Sequence, residues 1–283
     1  MPIPPVELYN LRYLTADNVT SYTIAKETGI SKKIVDIWAD AVPDKTYMDV
    51  NIATVRVARI PLKWGDCVFV AEPEGSFNDV SILQFLQKIF PEFAIEADQD
   101  EDITLTFNNT IPKLHILYAV DKPGIDKTKL GRSKCPDLLY ACPITHSAAI
   151  NATRNYPLDV ALIPTGFPEI KDGFVVPSGR EFVLKAIAFG TAAAGSTTPT
   201  YLHLWDERFE LFTPLTHQGV SVAYGKNLLS ADITREDIVK VKDYSIPSGH
   251  RITINVDATY DGANAIAANT LALFLIGLWR AVK

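Results

Sequence analysis

The chain has 283 residues, 47% of them hydrophobic and 21% charged, which is length enough for two cores and too apolar for wholesale disorder. A net charge of −6 gives no overall basic field, which argues against a protein that grips many phosphates. Eighteen prolines against 15 glycines favour many short segments over long helices.

The opening MPIPPVELYN has neither a charged n-region nor an apolar h-region, so no signal peptide is expected and synthesis in a reducing cytoplasm is. Cys67, Cys135 and Cys142 lack metal-like spacing and read as reduced thiols, which fits that compartment. Residues 1–45 read as a short N-terminal helical arm. Over 15–42, Val19, Tyr22 and Ile24 are followed by Ile30, Ile34, Val35, Ile37 and Trp38 at helical spacing. Gly29 breaks the run, Ser31 is placed to cap a second helix, and Pro43 ends it. The segment IAKETGISKKIVDIW resembles a helix-turn-helix at about residues 20–40, with Ser31, Lys32 and Lys33 opening a recognition helix. Residues 1–40 carry four cations against five anions, whereas recognition helices bring cations to phosphates. The preferred reading is an arm that docks on a neighbouring subunit through Ile30, Ile34 and Trp38.

From Tyr47 the apolar period moves towards two. YMDVNIATVRVARIPL reads as one strand and DCVFVAE as another. An amphipathic helix is expected at 79–90, where Val80, Leu83, Phe85, Leu86, Ile89 and Phe90 make one apolar stripe. The acidic run EADQDED at 96–102 reads as a solvated tip; its alternate carboxylates imitate a calcium loop, but no glycine bend or bidentate glutamate follows. ITLTF and LHILYAV then form a hairpin turned at Asn108-Asn109. After an irregular stretch at 121–157, a short strand at 160–163 closes a first β-rich lobe, residues 46–165.

The second lobe, 166–283, reads as an antiparallel sandwich. FVVPSGREFVLKAIAF and YSIPSGHRITINVDAT both set Pro-Ser-Gly just before an alternating strand, with Phe182, Leu184, Ala186 and Ala188 on one side of the first and Ile252, Ile254 and Val256 on one side of the second. Between them lie TYLHLWDERFELFTPL, an aromatic hairpin turning near Asp206-Glu207, and GVSVAYGKNLL. The run at 271–279 has nine apolar residues, too few for a membrane span, and reads as a buried final strand.

Pro177-Ser178-Gly179, the strand at 182–189, the hairpin at 201–212, Pro247-Ser248-Gly249, the strand at 252–256 and the closing strand at 271–279 together resemble the jelly-roll or sandwich domains of virus capsid, spike and phage head or tail proteins. The likeness covers about residues 170–283 and is architectural; similar corners occur in carbohydrate-binding modules and adhesins. It implies a mainly β chain of two sandwich-like lobes, similar to capsid proteins with two barrels per chain.

No P-loop, GxGxxG, GxSxG, HExxH or EF-hand loop is present. The five histidines are scattered; His115 and His203 lie in apolar strands and read as satisfied strand residues rather than ligands. Cys142 and His146 have i,i+4 spacing, but Pro143 lies between them and no motif supports a nucleophile. The chain is therefore expected to be no enzyme, with no catalytic residue, metal or cofactor. The functional expectation is a virion structural protein, a homo-oligomer that also contacts other virion proteins through Tyr201, Trp205, Asp206, His217 and Tyr260. A carbohydrate-binding module using Tyr201, Trp205 and Tyr260 to meet a glycan or receptor is the second reading, and a DNA-binding regulator the third.

Overall fold

The computed structural model describes residues 9–43, 45–64, 67–68, 83, 93–121, 138–145, 156–157, 159–160, 174–191, 200–211, 220–221, 238–258 and 271–282. All eighteen elements among them are β-strands, and the paired registers are antiparallel. Among the described residues the chain is mainly β, as the alternating segments of the sequence suggested. It divides into two compact units, Met1–Lys63 with Val68–Leu139 and Trp64–Cys67 with Tyr140–Lys283.

In the first unit, β1 (Tyr9–Ile24), β2 (Lys32–Asp40), β3 (Thr46–Ile52) and β4 (Val55–Trp64) precede the two-residue strands β5 (Cys67–Val68) and β6 (Glu96–Ala97) and the 19-residue β7 (Ile103–Asp121). β7 is the spine. β1 runs along one of its sides, from Tyr9 opposite Asp121 to Ile24 opposite Ile103. On the other side β3 covers residues 103–107 and β2 covers 113–120. Pro112, which has no N–H to give a ladder, lies in the gap between those two pairings. Asn108 and Asn109 lie in the same gap and fasten the β2–β3 connection. Asn108 Oδ1 accepts the Tyr47 N–H at 2.7 Å, Asn108 Nδ2 donates to the Lys45 carbonyl at 2.9 Å, and Asn109 Nδ2 donates to Thr46 Oγ1 at 3.0 Å. The expected hairpin is thus one continuous strand, and its asparagines hold a turn that belongs to a neighbour. Conversely, the single strand expected from Tyr47 onward is the hairpin β3–β4, closed by the two residues between Ile52 and Val55 with Ala53 at φ 51°.

The N-terminal helical arm is corrected: β1 and β2 occupy it. Each strand carries a bulge, between Val19 and Ser21 in β1 and between Ile34 and Asp36 in β2. An extra residue turns a two-residue apolar period into a three-residue one, so buried Ile34 and Ile37 imitate a helix face. Both strands are rich in Thr, Val and Ile, whose branched Cβ atoms suit the pleat. The helix-turn-helix falls with the helices. Lys32 is buried and donates to the Ala25 carbonyl, and Lys33 pairs with Glu96 at 2.7 Å, so neither faces a phosphate. Burial pushes the Lys32 ammonium below its ordinary range, against the pull of Glu27 and with the repulsion of Arg12. Of the proposed docking residues, Ile34 is 1% exposed and belongs to this unit's own core, while Ile30 and Trp38 are half-buried.

The second unit holds β8 (Leu138–Thr145), β9 (Tyr156–Pro157), β10 (Asp159–Val160), β11 (Phe174–Val175), β12 (Arg180–Thr191), β13 (Thr200–Asp206), β14 (Phe209–Glu210), β15 (Val220–Ser221), β16 (Ile238–Ile246), β17 (Arg251–Ala258) and β18 (Leu271–Ala281). One group is ordered β16-β12-β18-β8, with β10 on β8. The other is ordered β11-β17-β13-β14, with β15 on β13 and β9 on β17. The strands expected at 182–189, 252–256 and 271–279, and the hairpin near Asp206-Glu207, are all present. A bulge between Leu184 and Ala186 breaks the expected one-sided series, and Val183 and Ile187 are buried along with Phe182, Leu184 and Ala186.

β18 is buried from Leu275 to Trp279, as a core strand should be. Gly277 leaves room there for the Phe182 ring, since a Cβ would come within 2.5 Å of it; Phe182 also packs on Trp279 at 5.0 Å between centroids. No helix among the described residues is long and apolar enough to cross a membrane. The helix expected at 79–90 lies outside the described residues except for buried Leu83.

Candidate functional site

Each Pro-Ser-Gly segment is a four-residue turn. Arg180 N–H donates to the Pro177 carbonyl at 3.2 Å and His250 N–H to the Pro247 carbonyl at 3.2 Å. Gly179 and Gly249 take the third position at φ 75° and 82°, a region that a Cβ would strain. The two corners exchange partners. β11, which enters the first corner, pairs with β17, which leaves the second; β12, which leaves the first, pairs with β16, which enters the second. Val176 N–H donates to the His250 carbonyl and Gly249 N–H to the Val176 carbonyl, both at 2.9 Å, so the first segment is bonded directly onto the second turn.

This interlock positions a cluster around Asp206, the last residue of β13. Asp206 is 3% exposed, which corrects its nomination as a residue that contacts other proteins. Its Oδ2 accepts the Tyr244 hydroxyl at 2.8 Å, and its Oδ1 accepts His250 Nδ1–H at 2.7 Å. Tyr244 comes from β16 and Asp206 from β13, so one carboxylate joins the two strand groups of this unit. Burial, then the bond to Asp206 and its charge, push the Tyr244 phenol up to about 12, which keeps it a donor through the neutral range. His250, 42% exposed, is the solvent-facing member. The following turn is tied to the same corner. Glu207, at φ 55°, gives its N–H to the Arg251 carbonyl at 2.8 Å, and its Oε1 accepts the Arg251 N–H at 2.7 Å. The cluster is suited to locking strands together and presenting a rigid tip, where Phe209 is 72% exposed.

Trp205 precedes Asp206, is half-buried, and its indole Nε1 is buried with no hydrogen-bond partner among the described residues. Tyr201 lies on β13 opposite Asp257. His217 and Tyr260 lie outside the described residues. Of the nominated residues the structure places only Asp206 in the cluster, and it adds Tyr244 and His250, neither of which the sequence nominated. The available signal was the second Pro-Ser-Gly itself: in YSIPSGH the tyrosine precedes the turn and the histidine completes it. His115 has two polar partners, Tyr13 and Asp40, as expected of a satisfied strand residue. The acidic run forms a turn in which Glu101 N–H donates to the Asp98 carbonyl at 3.2 Å and Glu101 Oε2 accepts the Asp98 N–H at 2.9 Å. No group of three or more His, Cys, Asp or Glu placed to hold a metal ion occurs among the described residues. No family model matches the sequence, and no curated protein matches it.

Proposed function

We propose that this chain is a structural subunit of a virion, a capsid, spike or decoration component that works by binding copies of itself and other virion proteins. The observation that carries the reading is the exchange of partners at the two Pro-Ser-Gly corners. In a jelly roll, the strand before one corner pairs with the strand after the other, and β11–β17 with β12–β16 follows that rule. The buried Asp206 link supports the same reading, because it rigidifies the corner from which the β13–β14 tip projects. A rigid apolar tip such as Phe209 suits subunit contact, where aromatic side chains in desolvated centres carry much of the binding energy. Under this proposal the two units are sandwich-like lobes and the protein resides in particles after synthesis in a host cytoplasm. A glycan-binding role is the weaker reading, since Trp205 is only half accessible for stacking on a sugar.

Light scattering and electron microscopy of the purified protein test the proposal. Large, regular oligomers are the expected result, and the chain should be found by mass spectrometry in purified particles. A clean monomer at high concentration that is absent from particles overturns it.

A further inference from the structure

Tyr13 on β1, His115 on β7 and Asp40 on β2 form a hydrogen-bond chain across three neighbouring strands. Tyr13 Oη lies 2.6 Å from His115 Nδ1, and His115 Nε2 lies 3.2 Å from Asp40 Oδ2. The rings of Tyr13 and His115 stack with 21° between their planes. A carboxylate only accepts, so the ring nitrogen facing Asp40 carries the proton; in the neutral imidazole Nδ1 is then a bare lone pair and the Tyr13 hydroxyl is its donor. The direction of the chain is thus phenol to imidazole to carboxylate.

Exposure drops between its first two members. The Tyr13 residue is 58% exposed, whereas the His115 side chain is only 10% exposed. A solvent-facing phenol has water for its hydrogen bonds, yet this one is held on a buried base that a third group orients. That is the relation of nucleophile, general base and orienting acid used in covalent chemistry. Asp40 Oδ1 is buried and has no hydrogen-bond partner among the described residues, and an imidazolium formed on His115 would face this carboxylate. Lys113, exposed, stands in register with Asp17 on one side and Asp40 on the other, and buried Asp36 stands in register with Leu117, as Tyr13 does.

We propose that Tyr13 is a nucleophilic acceptor site that takes an acyl group from an activated ester, with His115 as its general base and Asp40 as a positioning residue. Tyr13 Oη bonds to the acyl carbon while its proton passes to His115 Nδ1. The carbon–oxygen bond to the leaving group then breaks, and the leaving oxygen takes the proton from His115. The products are an O-acyl tyrosine and a free alcohol or phenol. The site is independent of the assembly role and needs no second copy.

The test uses the full chain with p-nitrophenyl acetate, reading released p-nitrophenolate and the acetylated peptide by mass spectrometry. Tyr13 is expected to acetylate at least about tenfold faster than the remaining tyrosines of the same molecule, in keeping with the ~10²–10⁴-fold typical of general bases. H115Q should bring Tyr13 down to their level and Y13F should abolish the fast adduct. D40N should slow the reaction and D40E restore part of it. Within the unaltered protein, a Tyr13 rate no higher than that of the other tyrosines overturns the proposal whatever the variants do; so does a folded H115Q that reacts as fast as the parent.

Discussion

Asp49 and Asp206 are both buried carboxylates, one in each unit, and they are neutralised differently. Asp49 meets a full cation: Arg59 stands opposite it in the β3–β4 hairpin and donates Nε to Oδ1 at 2.5 Å and Nη2 to Oδ2 at 2.6 Å, while the guanidinium lies 4.7 Å from the centre of the Tyr47 ring. Asp206 meets a neutral phenol and an imidazole brought from 38 and 44 residues away. The first arrangement is complete once a local hairpin closes. The second exists only when two strand groups have come together, so it reports on tertiary closure and the first does not.

The largest separation between the two should come from removing the anion. D49A removes the carboxylate that buried Arg59 faces and is expected to cost about 3–5 kcal/mol in denaturant unfolding, whereas D49L with R59M should recover most of that, because paired charges are expensive to bury in the first place. D206A strips one acceptor from two donors and should cost about 1–3 kcal/mol, with D206N milder because its amide oxygen still accepts from Tyr244. If the two alanine variants cost the same, the distinction between a guanidinium partner and a phenol–imidazole pair fails. Next come the corners. G179A and G249A should each cost about 1–2 kcal/mol from the backbone alone, since no atom lies within 4 Å of a Cβ at either site. Equal losses would show that the exchanged corners are equivalent supports.

The smallest effect is alkaline. The Tyr244 phenol is raised from 10.0 to about 12 by folding, so its contribution is complete below about pH 10 and fades as pH climbs through about 12. Unfolding midpoints taken across that window should fall for the parent and fall less for Y244F; parallel curves would mean that Asp206 does not hold the phenol.

How much of this could be read beforehand differs by unit. The second unit's strands were legible because their alternation is clean and two Pro-Ser-Gly turns punctuate it. Asp206 was noticed, but as a surface residue: its burial depends on Tyr244 and His250, and nothing in a single strand's pattern reveals partners so distant. The first unit was misread where bulges intervene. The slip between Ile34 and Asp36 makes a strand scan like a helix, and Asn108-Asn109, a turn signal in isolation, bonds to Lys45, Thr46 and Tyr47 of a neighbouring segment instead. Arg59 and Asp49 show the opposite case, a contact set by one hairpin register, which the sequence contained but which required placing the turn at Ala53-Thr54.

The long β7 also sets a timetable. Tyr13 and His115 are 102 residues apart in the chain, and a ribosome adding about 5–20 residues per second makes β1 wait roughly 5–20 s for the strand it must lie against. The β3–β4 hairpin can close within microseconds of emerging, yet it too has no β7 to lean on until residue 103 is out. For those seconds the nascent polypeptide carries unsatisfied strand edges, so its yield in a cell should depend on a holdase more than the stability of the finished fold would suggest.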